Sequence, residues 1–167
     1  VSDMTRFWMR QDLVVPHLVD YLRERCGVRE EDITIVIANG THIGGDEQEL
    51  RTLVTDAVYD RVKVKNHDCE AKDLVYLGTT PHGTPVSIDR TAAEADLVVC
   101  LGAVTHHVMA GFGGGRKSIL PGISGRETIF HNHAFSLDAA QLRSNPAIGN
   151  GVLKGNPLHE DMCEAAG

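Results

Sequence analysis

Apolar and polar positions follow two different rhythms along this chain. In DLVVPHLVDYLRERCG (12–27), Leu13, Val14, Leu18, Val19 and Leu22 recur on one broad helical face. Asp12 can cap that helix, Pro16 falls near its first turn, and Gly27 offers a left-handed stop. ITIVIANG (33–40) has no alternation; a continuous β-branched run of this kind suits a strand covered on both faces. DEQELRTLVTDAVYDRV (46–62) returns to the helical rhythm, with Asp46 and Glu49 as a capping box and Leu50, Leu53, Val54, Ala57 and Val58 as the stripe. KVKNHD (63–68) reads as a shorter strand, and DLVYLGTTPHGTPVSI (73–88) as two strands around a Pro-His-Gly turn. RTAAEA (90–95) is a short helix and DLVVCLGAV (96–104) a second apolar strand. Ser124 and Glu127 predict another capping box, opening a helix over 125–137, and RSNPAIGNGVLKGNP (143–157) reads as loop.

Strands alternating with helices predict an α/β, Rossmann-like layered domain, with a mainly parallel central sheet flanked by helices. Ligands of such sheets bind beyond the carboxyl ends of the strands. Both apolar runs end in Thr-His: the first delivers His42, the second His106 and His107.

The 167 residues suit a single domain, and its ends read as those of a piece of a longer protein. A net charge of -7 argues against wrapping nucleic acid or lying on anionic lipid. No apolar run reaches membrane-spanning length. The four cysteines form no CxxC pair, so a zinc ribbon or redox pair is not expected. Cys26 and Cys100 sit inside apolar runs and read as buried free thiols in a reducing cytoplasm.

Nine histidines raise the question of a metal. His17, His67 and His159 have no distinctive position, and His82 lies in a turn; these read as surface or satisfied residues. His42 and His107 stand at strand ends, and His133 follows the stretch THHVMAGFGGGRKSILPGI (105–123). The segment GFGGGRK is neither a Walker loop nor a dinucleotide fingerprint. Glycines nevertheless let a backbone approach an anion closely, and Lys117 would stand beside it. Near the start, SDMTR offers Arg6, whose planar fork suits a carboxylate.

SDMTR, ANGTH, the 105–123 stretch and the Asn-His at 132–133, taken in order, resemble the lactate racemase family, the nickel-dependent 2-hydroxyacid racemases and epimerases. The resemblance runs from Asp3 to the NPLHEDM segment, and implies most of the N-terminal domain of a two-domain enzyme. By that resemblance Lys117 tethers a nickel pincer nucleotide, with Asp3 and the Gly113, Gly114 and Gly115 loop beside it. His133 is the protein ligand to nickel, His42 and His107 are acid/base residues on opposite sides of the substrate, and Arg6 grips its carboxylate. His106 receives no role. His131, two positions from His133, would face elsewhere on a helix. The implied reaction takes hydride from a 2-hydroxyacid and returns it to either face of a planar keto acid. The cofactor is expected in the full-length enzyme, and a fragment lacking the second domain is expected to be inactive and empty. The competing reading is a non-catalytic module that holds a nucleotide or phosphate in its glycine loop.

Overall fold

The computed structural model describes residues 1–167. A 3-10 turn over Met4–Met9 leads into α1 (Gln11–Cys26). Its buried stripe is Gln11, Val15 and Val19, while Leu13 and Val14 face outward. The helix begins at Gln11 behind a left-handed Arg10, and its core-facing side shares Val19 and the partly buried Leu22 with the predicted stripe but takes Val15 in place of Leu13 and Val14. Asp12 pairs with the Arg10 guanidinium instead of capping, and Pro16 lies in the helix interior. Gly27 does end the helix in the left-handed region, at φ 71°.

β1 (Thr34–Ile37) follows, then α2 (Glu47–Val54), α3 (Asp56–Tyr59) and β2 (Lys63–Asn66). The Asp46–Glu49 capping box is present at the start of α2. The predicted long helix breaks at Thr55, whose φ of 75° is non-helical, so Ala57 turns outward and Val58 inward. β1 and β2 pair in parallel. Ile35 and Ile37 of β1 join Val15, Val19, Leu50, Leu53, Val54 and Val58 in the main core. Val36 and Ala38 face a smaller cluster built on Val86, Ile88 and Ile123. Both faces of β1 are therefore covered, as its uninterrupted apolar run requires.

β3 (Val75–Thr79) and β4 (Pro85–Ile88) form an antiparallel hairpin, followed by α4 (Arg90–Ala93). β5 (His106–His107) pairs with β6 (Gly111–Phe112), α5 covers Arg126–Ala134, and β7 (Leu137–Asp138) pairs with β8 (Arg143–Ser144). α6 (Pro157–Ala166) closes the chain, with the Asn156 side chain accepting from the His159 amide as its cap.

The molecule is mixed α/β, but its sheets differ from the expected layered one. Pairing resolves into four two-stranded sheets, of which only β1–β2 is parallel. Residues 96–104 form no ladder, and Leu97 is 72% exposed. The edge of β1 opposite β2 is instead met by the chain start, where the Ala38 amide donates to the Val1 carbonyl at 2.7 Å. Leu97–Leu101 borders an apolar cavity of about 870 Å³ shared with α1 and β1. Cys100 and Cys26 are exposed rather than buried as expected, and Cys69 is the buried thiol. Ser124 does not cap α5: its hydroxyl donates to the Ile119 carbonyl, and Gly125 takes the cap position. No helix is long and apolar enough to cross a membrane.

Candidate active site

A cleft of about 590 Å³ opens where the end of β1, the β5–β6 hairpin, the glycine loop and α5 meet. Its size suits a small-molecule ligand. Asp3, Arg6, His42, His107, Lys117 and His133 all line it, as do Gly113 and Gly114. Gly115 is exposed and lies outside the lining, because the chain turns there into the short helical turn Gly115–Ser118. Segments spread from residue 3 to residue 133 thus meet in one place.

Three ring nitrogens are fixed by their partners. His42 Nδ1 lies 2.5 Å from Asp3 Oδ2. An ionised carboxylate only accepts, so Nδ1 carries a proton and Nε2 is the free nitrogen. His133 Nδ1 lies 2.9 Å from the Ile129 carbonyl, one helical turn earlier. That carbonyl also only accepts, which leaves the His133 Nε2 lone pair free. His107 is the opposite case. Its Nδ1 accepts from the amides of Met109 at 3.2 Å and Ala110 at 3.1 Å, so the neutral ring carries its proton on Nε2.

Charge in the cleft is positive, although the chain as a whole is acidic. Burial, then the nearby Lys117, Arg6, His133 and Arg116 charges, hold the His107 pKa down to about 4. Burial, then Arg116 and Arg6, lower the Lys117 ammonium to about 8. Burial also pushes His133 down, partly opposed by its bond to Ile129 and reinforced by Lys117. A cleft that disfavours added protons and holds basic side chains is complementary to an anion.

The glycine loop is shaped by close approach. Gly114 has φ 76°, and a Cβ there would meet the Ala103 carbonyl oxygen at 3.0 Å. The Asp3 carboxylate is committed on both oxygens: Oδ1 accepts from the Thr5 amide and hydroxyl, and Oδ2 faces His42. Asp3 is thus first a partner of His42. Arg6 bonds the Thr5 hydroxyl at 2.8 Å and remains exposed at the cleft edge.

The chain matches, over residues 1–144, the family described as the lactate racemase N-terminal domain. The protein belongs to that family. A lactate racemase of Thermoanaerobacterium thermosaccharolyticum is 36% identical over 155 residues, which are 92% of this chain and 35% of that relative. A lactate racemase of Lactiplantibacillus plantarum is 34% identical over 166 residues, covering 99% of this chain and 37% of the relative. The chain thus spans little more than a third of these lactate racemases. The solved apoprotein of the T. thermosaccharolyticum lactate racemase superposes with a TM-score of 0.88 at 36% identity, over 99% of this chain and 38% of that one. A Thermotoga maritima protein shares the fold, with a TM-score of 0.71 at 24% identity, over 98% of this chain and 40% of its own.

The remaining histidines sort by contact. His106 stacks on Phe112 with ring centroids 5.1 Å apart. His67 is buried, with Nε2 2.9 Å from the Ser124 carbonyl. His131 is exposed. His82 stands with Asp161 and Glu164 in a cluster of three ligand-type groups that lies outside the cleft. Hydrogen bonds account for that cluster: His82 pairs with Glu164 at 2.8 Å, and Asp161 accepts from Thr80, Thr84 and Asn132. Sequence reasoning missed the cleft-lining Trp8 and Phe130. It also missed Arg116, which stands inside the glycine motif and donates to the Ala110 and Phe112 carbonyls.

Proposed function

We propose that this chain is the catalytic N-terminal part of a lactate racemase-type enzyme, inverting a 2-hydroxyacid by hydride removal and return through a nickel pincer nucleotide. The observation that carries this reading is the convergence of Arg6, His42, His107, Lys117 and His133 on one cleft, with one ring nitrogen of each of the three histidines engaged by a hydrogen bond.

The donor set fits such a group. A metal-binding histidine ordinarily gives its other N–H to a carbonyl or carboxylate, as His133 gives Nδ1–H to Ile129. One imidazole supplies one ligand, so the remaining ligands would come from the cofactor. The lowered ammonium pKa makes the Lys117 amine available as a nucleophile near neutrality, which a covalent tether requires. Gly113 and Gly114 line the cleft beside it, and their missing side chains let the loop pack directly on the Ala103 backbone. When bound, the nickel nucleotide would supply the hydride acceptor and donor.

The chain's own residues supply binding and proton handling. Arg6 can pair with the substrate carboxylate through both oxygens. His42, held by Asp3, presents Nε2 to take the hydroxyl proton as the carbinol carbon becomes planar. His107 is not equivalent to it. In the arrangement seen, its Nε2 carries the proton, so there the ring can give a proton to a substrate oxygen but cannot take one at that atom. For His107 to accept a proton at Nε2, the existing proton must leave that atom and Nδ1 must be protonated, which requires the Met109 and Ala110 amides to let go.

The test is single-turnover kinetics of the full-length enzyme carrying its cofactor, with each lactate enantiomer separately. His42→Ala and His107→Ala should each slow one enantiomer by about 10²–10⁴-fold relative to the other, with opposite preference. Near-normal turnover of both enantiomers by both variants would falsify the assignment.

A further inference from the structure

The turn that carries His107 is braced from outside itself. All four carbonyls from Met109 to Phe112 accept hydrogen bonds from distant residues or from Arg116. Asn156 Nδ2 donates to Met109 O at 2.8 Å, the Gly151 amide to Gly111 O at 3.0 Å, and Arg116 Nη2 to Ala110 O at 2.8 Å and Phe112 O at 3.2 Å. The fit is close: at Gly111, with φ 73°, a Cβ would come 2.3 Å from the Val152 carbonyl oxygen. Asn156 is fully buried, and its second Nδ2 proton goes to Val152 O at 2.9 Å. Its Oδ1 meanwhile caps α6 through the His159 amide. Every polar atom of this side chain is therefore used, across three parts of the molecule.

We infer that Asn156 is a positioning residue for His107: through the Met109 carbonyl it holds the 107–112 turn closed, and so holds the His107 ring with Nδ1 accepting and Nε2–H directed to ligand. The physical link is short. The peptide group whose Met109 carbonyl receives the Asn156 bond also carries the Ala110 amide that bonds His107 Nδ1, and the Met109 amide that bonds the same nitrogen lies in the adjoining peptide group. Loosening one carbonyl frees the amides beside it. Residue 156 lies beyond the 1–144 stretch that matches the family, so the brace belongs to a segment outside that match. The assignment rests on the reading of His107 as a residue at the reacting oxygen. Its test needs neither cofactor nor turnover, so the two can fail separately.

The test compares the full-length protein without cofactor and its Asn156→Ser variant by ¹⁵N NMR of the histidine rings at pH 7, together with amide exchange. Serine caps a helix about as well as asparagine but cannot reach two carbonyls as a double donor. In the parent chain His107 should show one fixed tautomer, with the proton on Nε2. In Asn156→Ser the His107 pattern should collapse toward an averaged one, with Met109 and Ala110 amides exchanging about tenfold faster, the scale of one lost hydrogen bond. His42 and the α6 amides should be unchanged. An unchanged His107 pattern with α6 intact overturns the inference and leaves Asn156 as a helix cap alone. If α6 frays in the serine variant, Asn156→Asp, an equally good cap, is read for the same two outcomes.

Discussion

Asp3 Oδ2 and His42 Nδ1 stand 2.5 Å apart across 39 positions of sequence. The Asp3 side chain is almost buried and that of His42 about half exposed, so the carboxylate is the fixed partner and the ring the one it orients. Replacing Asp3 by Asn removes the obligate acceptor and lets the ring take either tautomer. In the full-length enzyme, Asp3→Asn should lower kcat by about 10²-fold, at the low end of general-base effects, with a smaller change in KM. Equal changes in both parameters, or a change in KM alone, would point to substrate binding instead.

His107 should stay neutral well below the usual histidine range. Its pKa near 4 arises first from burial and then from the surrounding cations. The folded value lies below the unfolded one, so between about pH 6.5 and 4 the unfolded chain binds the extra proton. The contribution of this ring to stability is complete above about pH 6.5 and is lost as the pH falls toward about 4. NMR titration of the ring gives the midpoint directly. Denaturant midpoints across the same window should fall less steeply in His107→Gln than in the parent chain.

Lys117 should react as an amine at a pH where other lysines do not. At its pKa of about 8, half of the side chain is neutral, whereas an ordinary lysine is almost wholly charged. Limited acetylation followed by peptide mass spectrometry should label Lys117 with a half-maximal rate near pH 8. A free lysine in a model peptide requires a pH roughly two units higher. A parallel pH dependence for the two would remove the case for a nucleophile prepared by burial.

Thr55 sits between α2 and α3 with φ 75° and ψ 150°, a region costly for a β-branched residue, and its buried hydroxyl has no partner. Thr55→Gly should therefore stabilise the chain by about 1 kcal/mol, the strain relieved exceeding the added flexibility of the unfolded chain. Urea denaturation reads this as a higher midpoint at unchanged slope.

Features set by near neighbours were legible in the sequence. The Asp46–Glu49 box, the Gly27 stop, the strands at Thr34–Ile37 and Lys63–Asn66 and the hairpin around His82 each depend on residues a few positions apart. The motifs that carry family membership were legible for the same reason, being short and in fixed order. What tertiary structure decided involves partners the local pattern cannot specify. The buried face of α1 was set by the side that packs on β1 and α2, and residues 96–104 lie outside any ladder although their composition favours a strand. Most of all, the free nitrogen of His42 depends on a carboxylate 39 positions away, and the turn that holds His107 depends on an amide 47 positions from Met109. Residue type supplies an imidazole with two nitrogens; only the partner that folding brings to one of them determines what the other can do.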